Sequence, residues 1–193
     1  MIKRRTLNKE AVVRRAVEMV NGSSSPEKLS LAELAASLGI RTPSLYNHIS
    51  GLDGLHRELQ LYTWQHLGQA MREAAAGKTG HKALFELAYA YRAFAQANPG
   101  LYRLVLVSSI EGEDAEVQAA GGDILTTIML AVNSLGIAEE DAIHIVRGFR
   151  SLIHGFVSLE STRGFAMPYE IEKSFHRAVT AYVDGALASV TNQ

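Results

Sequence analysis

Apolar residues recur at helical spacing from one end of the chain to the other, and no stretch alternates apolar and polar positions between hairpin turns. That pattern predicts an all-α protein. The first helix opens at Asn8 as N-cap, with Leu7 and Val12 in the two staple positions, and its apolar face runs through Val12, Val13, Ala16, Val17 and Val20. It stops in the turn-forming run that begins Asn21-Gly22-Ser23 and ends at Pro26. A second helix opens on the capping box Ser30-Leu31-Ala32-Glu33 and ends at Gly39. After the turn Gly39-Ile40-Arg41, Thr42 is expected as N-cap and Pro43 as the first residue of a short third helix that reaches His48.

Ser50 and Asp53 form a weaker box at the start of a long helix that runs to about residue 75. Further helices are expected over roughly 79–97, 99–108, 115–134, 138–161 and 168–190. They are divided at Ala76-Gly77, Asn98-Pro99-Gly100, the acidic Glu111-Gly112-Glu113-Asp114, Gly136 and the segment from Gly164 to Pro168. The architecture expected is about nine helices: a three-helix head over residues 1–50 and a larger helical body over residues 51–193. Gly121-Gly122, inside the predicted 115–134 helix, costs about 1 kcal/mol per glycine relative to alanine, so a bend or a late start is expected there.

Two short helices joined by a glycine-containing turn match the helix-turn-helix pattern, in which the second helix enters the DNA major groove. Leu31, Leu34, Ala35, Leu38, Ile40, Leu45 and Ile49 pack such a motif, and Gly39 supplies the positive φ of the corner. Arg41, Thr42, Ser44, Tyr46, Asn47 and His48 are left to project outward. Arginine suits guanine edges, asparagine suits adenine, and hydroxyls and imidazole suit phosphates or bases. Ser30, at a helix N-terminus, is a further phosphate candidate. The same residue types also suit a solvated polar face, so it is their combination with paired caps, a glycine corner and a basic N-terminus that favours DNA.

The run from Leu34 to Ile49, LAASLGIRTPSLYNHI, resembles the signature of the tetracycline-repressor (TetR) family: an alanine-rich helix, Gly-Val/Ile, then a Leu-Tyr-x-His/Tyr recognition helix. The match extends through Leu52, Asp53, Leu55 and Leu59 and is strong over residues 7–60. The resemblance implies a homodimeric repressor that leaves its palindromic operator when a small molecule enters the C-terminal body. By position it assigns DNA contact to Arg41, Thr42, Ser44, Tyr46, Asn47 and His48, with Tyr46 and His48 on phosphates. One position departs from the pattern: Leu52 stands where the family usually carries a phosphate-binding lysine.

In the body, residues 147–159 carry a His154-Gly155 pair before an apolar turn, which resembles the WHG-type C-terminal domain of one TetR branch, with Arg150 where that branch often has tryptophan. Helical spacing separates an apolar stripe, Ile145, Phe149, Leu152, Ile153 and Phe156, from a polar one, Arg147, Arg150, Ser151, His154 and Ser158. An apolar stripe of this kind usually fills core. The arginines are read either as holding an anionic ligand or as making ion pairs. Tyr62, Trp64, His66, Tyr89, Tyr91, Phe94, Tyr102 and Met129 lie on the helices that enclose the ligand pocket in the family. Candidate ligand residues are Tyr62, His66, Tyr89, Phe94, Tyr102, Met129, Arg150 and His154. For a two-fold interface the candidates are Phe149, Phe156, Phe175, Ala181, Tyr182, Gly185 and Ala188, the small residues permitting close helix contact.

Charge sharpens this division. The net charge of −1 hides a head of residues 1–60 with nine Lys/Arg against six Asp/Glu, and a remainder with ten against fourteen. Lys3, Arg4 and Arg5 form a basic arm suited to DNA phosphates. The chain of 193 residues has no cysteine, which excludes thiolate metal sites and disulfide scaffolds, and no apolar run long enough for a membrane helix. A cytoplasmic protein is expected. The seven histidines include no pair at i, i+3 or i, i+4, and neither a phosphate loop nor a nucleophile elbow is found. No metal, no cofactor and no enzymatic activity are expected. Alternatives to the ligand-released repressor are a regulator of the same kind acting through a protein partner and, less favoured, an all-α ligand carrier or enzyme.

Overall fold

A computed structural model of the chain describes residues 7–23, 28–107 and 114–191. The described residues are helical throughout and contain no strand. The order is α1 (Lys9–Asn21), α2 (Leu31–Ser37), a 3₁₀ helix (Thr42–Asn47), α3 (Gly51–Ala75), α4 (Gly80–Ala97), α5 (Pro99–Val107), α6 (Ala115–Asn133), α7 (Glu139–Ser161) and α8 (Ile171–Thr191). No helix among the described residues is long and apolar enough to cross a membrane.

The chain divides into two compact units, one of Met1–Trp64 with Asn98–Gln118, the other of Gln65–Ala97 with Ala119–Gln193. The first is built on α1. Asn8 caps it by accepting a hydrogen bond from the Ala11 amide at 2.9 Å, and Leu7 packs against the core that Val12 joins. Val12, Val13, Ala16, Val17 and Val20 meet Leu34 and Ala35 of α2, then Leu45, Ile49, Leu55 and Leu59. Leu101 of α5 completes this core from far along the chain. Gly100 makes that approach possible: a Cβ there would lie 2.1 Å from the Val20 carbonyl oxygen. Asn21 then ties the elements together, donating to the Asn98 side chain at 3.0 Å and accepting from the Leu101 amide at 3.2 Å.

In the second unit α4, α7 and α8 pack on one another. Leu84, Leu87, Phe149, Ile153, Phe175 and Val179 form the centre, each buried to within 2% of complete. A charged residue sits among them. Arg92, 7% exposed, donates two hydrogen bonds of 2.8 Å to Glu160 of α7 and a third to Glu172 of α8, while its guanidinium lies 4.8 Å from the Phe175 ring centroid. These carboxylates hold the guanidinium firmly protonated, and Arg92 in turn holds the Glu172 carboxyl below its ordinary pKa.

Three local expectations are corrected. The third helix is 3₁₀, and its N-cap position is Arg41 rather than Thr42; its six residues are closed by i→i+3 bonds, Arg41 C=O to the Ser44 amide at 2.9 Å and Leu45 C=O to the His48 amide at 2.8 Å. Helix α6 runs unbroken through Gly121-Gly122, because Val117, Ile124, Ile128 and Val132 on both sides bury its apolar face and outweigh the glycine cost. Helix α8 begins at Ile171, not at residue 168: Pro168 sits in a tight turn closed by Tyr169 N–H to the Met167 carbonyl.

Candidate nucleic-acid interface and ligand cavities

The corner between α2 and the 3₁₀ helix follows from its sequence. Ser30 caps α2, accepting from the Glu33 amide at 3.2 Å and donating its hydroxyl proton to the Glu33 carboxylate at 2.9 Å. At the other end Ile40 N–H bonds the Ala35 carbonyl and Gly39 N–H the Ala36 carbonyl, the paired bonds of a Schellman motif, with Gly39 at φ +69°. Leu34, Ala35, Leu45 and Ile49 anchor both elements in the core.

The 3₁₀ pitch then sorts the outward residues. With three residues per turn, Arg41, Ser44 and Asn47 align along one edge and Pro43 and Tyr46 along the next, while Leu45 is fully buried. Arg41, Tyr46 and Asn47 are exposed, Tyr46 at 60%; Thr42, Ser44 and His48 are half-buried. Among the described residues none of these six side chains makes a hydrogen bond or an ion pair. Donors and acceptors suited to base edges and phosphates are thus presented on a rigid element with no internal partner.

The other candidates near this surface differ. Lys3, Arg4 and Arg5 lie outside the described residues. Ser30 already serves Glu33, so a phosphate there has to displace a carboxylate. Two head cations are also committed, Lys9 to Glu58 at 2.9 Å and Arg15 to Glu18 at 2.7 Å. Leu52, 38% exposed in the first turn of α3, presents an alkyl chain to solvent. Further along α3, Arg57 grips Asp114, the N-terminal cap of α6, and reaches Glu116 at 2.6 Å. The guanidinium holds the Asp114 carboxyl below its ordinary range.

Two cavities in the second unit carry charged linings. One, about 500 Å³, is lined by Arg72, Lys78, Thr79, Asp123, Thr127 and Ser134 among others, and its cations face acids: Arg72 with Asp123 at 3.9 Å, Lys78 with Glu86 at 3.6 Å. The other, about 460 Å³, is lined by Arg150 and His154 together with Tyr91, Arg147, Ser151, Ile128 and Ile153. Tyr91 Oη lies 3.3 Å from His154 Nδ1, and burial, reinforced by Arg150, lowers the His154 pKa, so its imidazole is neutral at neutral pH.

The remaining ligand candidates line neither cavity. Tyr102 is buried in the first unit and Tyr62 packs half-buried against its core. His66 is exposed, and Phe94 and Met129 are half-buried. Tyr89 Oη lies 3.2 Å from His176 Nδ1, its ring edge-on to Phe175. Ser151, which was not among the ligand candidates, was visible in the sequence as a member of the polar stripe on α7, and Arg147 as one of its two arginines.

Of the interface candidates, Phe149 and Phe175 are fully buried within the unit itself and offer no surface to another chain. Phe156 packs between Phe165, tilted at 4.7 Å, and Phe175, edge-on at 5.0 Å. Tyr182 is turned inward, donating to the Ile145 carbonyl at 2.8 Å. The exposed part of the set is the small-residue row Ala181, Gly185 and Ala188.

A three-helix head with a Schellman corner and an uncommitted polar edge on its second element defines a helix-turn-helix DNA-binding protein. Residues 84–182 match the tetracyclin repressor-like C-terminal domain family. YobS of Bacillus subtilis, an HTH-type transcriptional regulator, is 34% identical over 175 residues, 91% of this chain and 87% of its own. Rv0681 of Mycobacterium tuberculosis, another HTH-type transcriptional regulator, is 30% identical over 156 residues, 81% of this chain and 71% of its own. In fold, the chain is similar to a TetR variant from Acinetobacter baumannii solved in complex with minocycline: TM-score 0.72, 15% identity, over 96% of this chain and 99% of that one. This chain belongs to the TetR family of transcriptional regulators.

Proposed function

We propose that the protein is a homodimeric repressor that binds a palindromic operator and is released from it by a small molecule. Residues 1–50 read the DNA, and residues 51–193 hold the effector and the dimer contact. The observation that carries the reading is the polar edge of the 3₁₀ helix, whose side chains make no hydrogen bond or ion pair among the described residues; on this reading Arg41, Ser44 and Asn47 meet base edges, Tyr46 and His48 the phosphates, and Thr42 the backbone beside them. Lys3, Arg4 and Arg5 add phosphate contacts that carry no sequence information.

Dimerisation is supported by the exposed row Ala181, Gly185 and Ala188 on α8, where small side chains let a second helix approach closely. Two heads so joined read half-sites about 34–36 Å apart. Release follows from differential affinity: an effector that binds the DNA-incompetent arrangement more tightly shifts the population toward it. The protein acts where its operator lies, in the cytoplasm, and works by binding rather than catalysis.

The test is selection of genomic fragments by the purified protein, then titration of the recovered duplex with wild type and with Asn47→Ala and Tyr46→Phe. Loss of the asparagine contact is expected to weaken operator binding by about tenfold or more, at about 1–3 kcal/mol per base contact. Loss of the phenol is expected to weaken all duplexes equally. Operator affinity unchanged by both substitutions, or failure to recover any palindromic site, overturns the assignment.

A further inference from the structure

Along α7, Arg147, Arg150, Ser151 and His154 follow one another at i, i+3, i+4 and i+7, so all four point from one face into the 460 Å³ cavity. Two guanidiniums one turn apart repel each other, and neither meets a carboxylate among the described residues. Several acids of this unit are committed elsewhere, Glu160 and Glu172 to Arg92, Asp123 to Arg72 and Glu86 to Lys78, while Glu139, Glu140 and Asp141 stand in the first turn of α7. Beside this cationic wall stand Ile128 and Ile153, each 1% exposed. The neutral imidazole of His154, next to the Tyr91 hydroxyl, adds hydrogen-bonding capacity without a third positive charge.

We propose that this cavity is an anion site whose ligand is a small organic acid with an apolar body, its carboxylate gripped by Arg147 and Arg150 and its body laid against Ile128 and Ile153. Arginine forks match a carboxylate bidentately, and the volume falls within the range of about 300–1,000 Å³ usual for small-molecule sites. The 500 Å³ cavity lacks this preference, because its cations are already balanced by Asp123 and Glu86. The inference rests on the effector reading above and names the chemistry of that effector.

The experiment is calorimetric titration of the full chain with three ligands that share one apolar body: 4-butylbenzoate, 4-butylbenzyl alcohol and 4-butylbenzylamine. The benzoate is expected to bind saturably, about tenfold or more tighter than the alcohol, with the amine weakest. Arg147→Gln/Arg150→Gln, two substitutions at solvent-accessible positions, is expected to keep the wild-type circular dichroism spectrum and to abolish that preference. Equal affinity for benzoate and alcohol, no saturable benzoate binding, or a preference that survives the double substitution overturns the proposal. A double variant that turns monomeric in sedimentation equilibrium also overturns it, since the arginines then pair across a subunit contact. Benzoate that binds as expected but leaves operator affinity unchanged refutes the effector reading instead, and leaves the anion site standing.

Discussion

Arg92 is the residue whose replacement tests the packing of the second unit most sharply. Arg92→Met preserves length and apolar bulk, and the thioether retains a favourable contact with Phe175. It removes a charge with three bonds to acids. Glu172, with a side chain 61% exposed, regains water when the guanidinium is gone; Glu160, at 16%, regains it only in part and, among the described residues, keeps the Gln96 amide at 3.1 Å. Breaking a buried pair costs about 3–5 kcal/mol, and partial access to water at Glu160 places the expected loss near the lower end, about 3 kcal/mol. For a chain of this length that is a fall in Tm of about 6–12 °C. Glu172→Gln, acting at the exposed end of the cluster, is expected to cost less than about 1 kcal/mol. In Arg92→Met/Glu160→Gln no buried charge is stranded, so much of the loss is recovered, with a coupling of about 2 kcal/mol. Thermal and urea unfolding are followed by circular dichroism at one protein concentration, because association makes the midpoint concentration-dependent. The reasoning is refuted if Arg92→Met costs no more than Glu172→Gln, or if the effects of Arg92→Met and Glu160→Gln simply add.

Three further outcomes are expected. Leu52→Lys places an ammonium on an exposed first-turn position of α3 and should tighten operator binding, steepening the dependence of log K on log salt by about 0.9 for each additional phosphate neutralised; an unchanged slope contradicts a phosphate at that position. Gly100→Ala drives a Cβ against the backbone carbonyl of Val20 and should lower the urea-unfolding stability by about 3 kcal/mol, whereas wild-type stability would show that α5 does not pack so tightly on α1. Asp114 and Glu172 have carboxyl pKa values depressed in the folded chain by Arg57 and Arg92, so their stabilisation is complete above the ordinary carboxylate pKa, about 4, and is lost as pH falls through the depressed folded values. The urea midpoint should therefore decline in acid, less steeply in Asp114→Asn; equal slopes count against the Arg57–Asp114 pair.

The helices of this protein were legible because their signals are local. Asn8 and its first turn, Ser30 with Glu33, and Gly39 after α2 each act over three to five residues, and the observed caps fall on the residues that the spacing implied. The polar edge of the 3₁₀ helix was legible for the same reason, since Arg41 to His48 is a single short segment between buried Leu34 and Ile49. The polar stripe on α7 could be drawn from spacing alone, although which of its members share a cavity could not.

Sequence by itself determined the helical class, the order and approximate ends of the elements, the helix-turn-helix and the residues that face away from its core. Tertiary structure alone decided which apolar stripe each helix meets. It placed Leu101 and Tyr102 of α5 in the head unit, sealed Phe149 and Phe175 inside the body, and left Ala181, Gly185 and Ala188 exposed. It also converted Arg92, one arginine on an amphipathic helix, into a buried junction with Glu160 and Glu172, 68 and 80 residues away. The physical reason is range: capping and periodicity are governed by neighbours within a helical turn, whereas burial and charge pairing depend on what the fold brings from far along the chain.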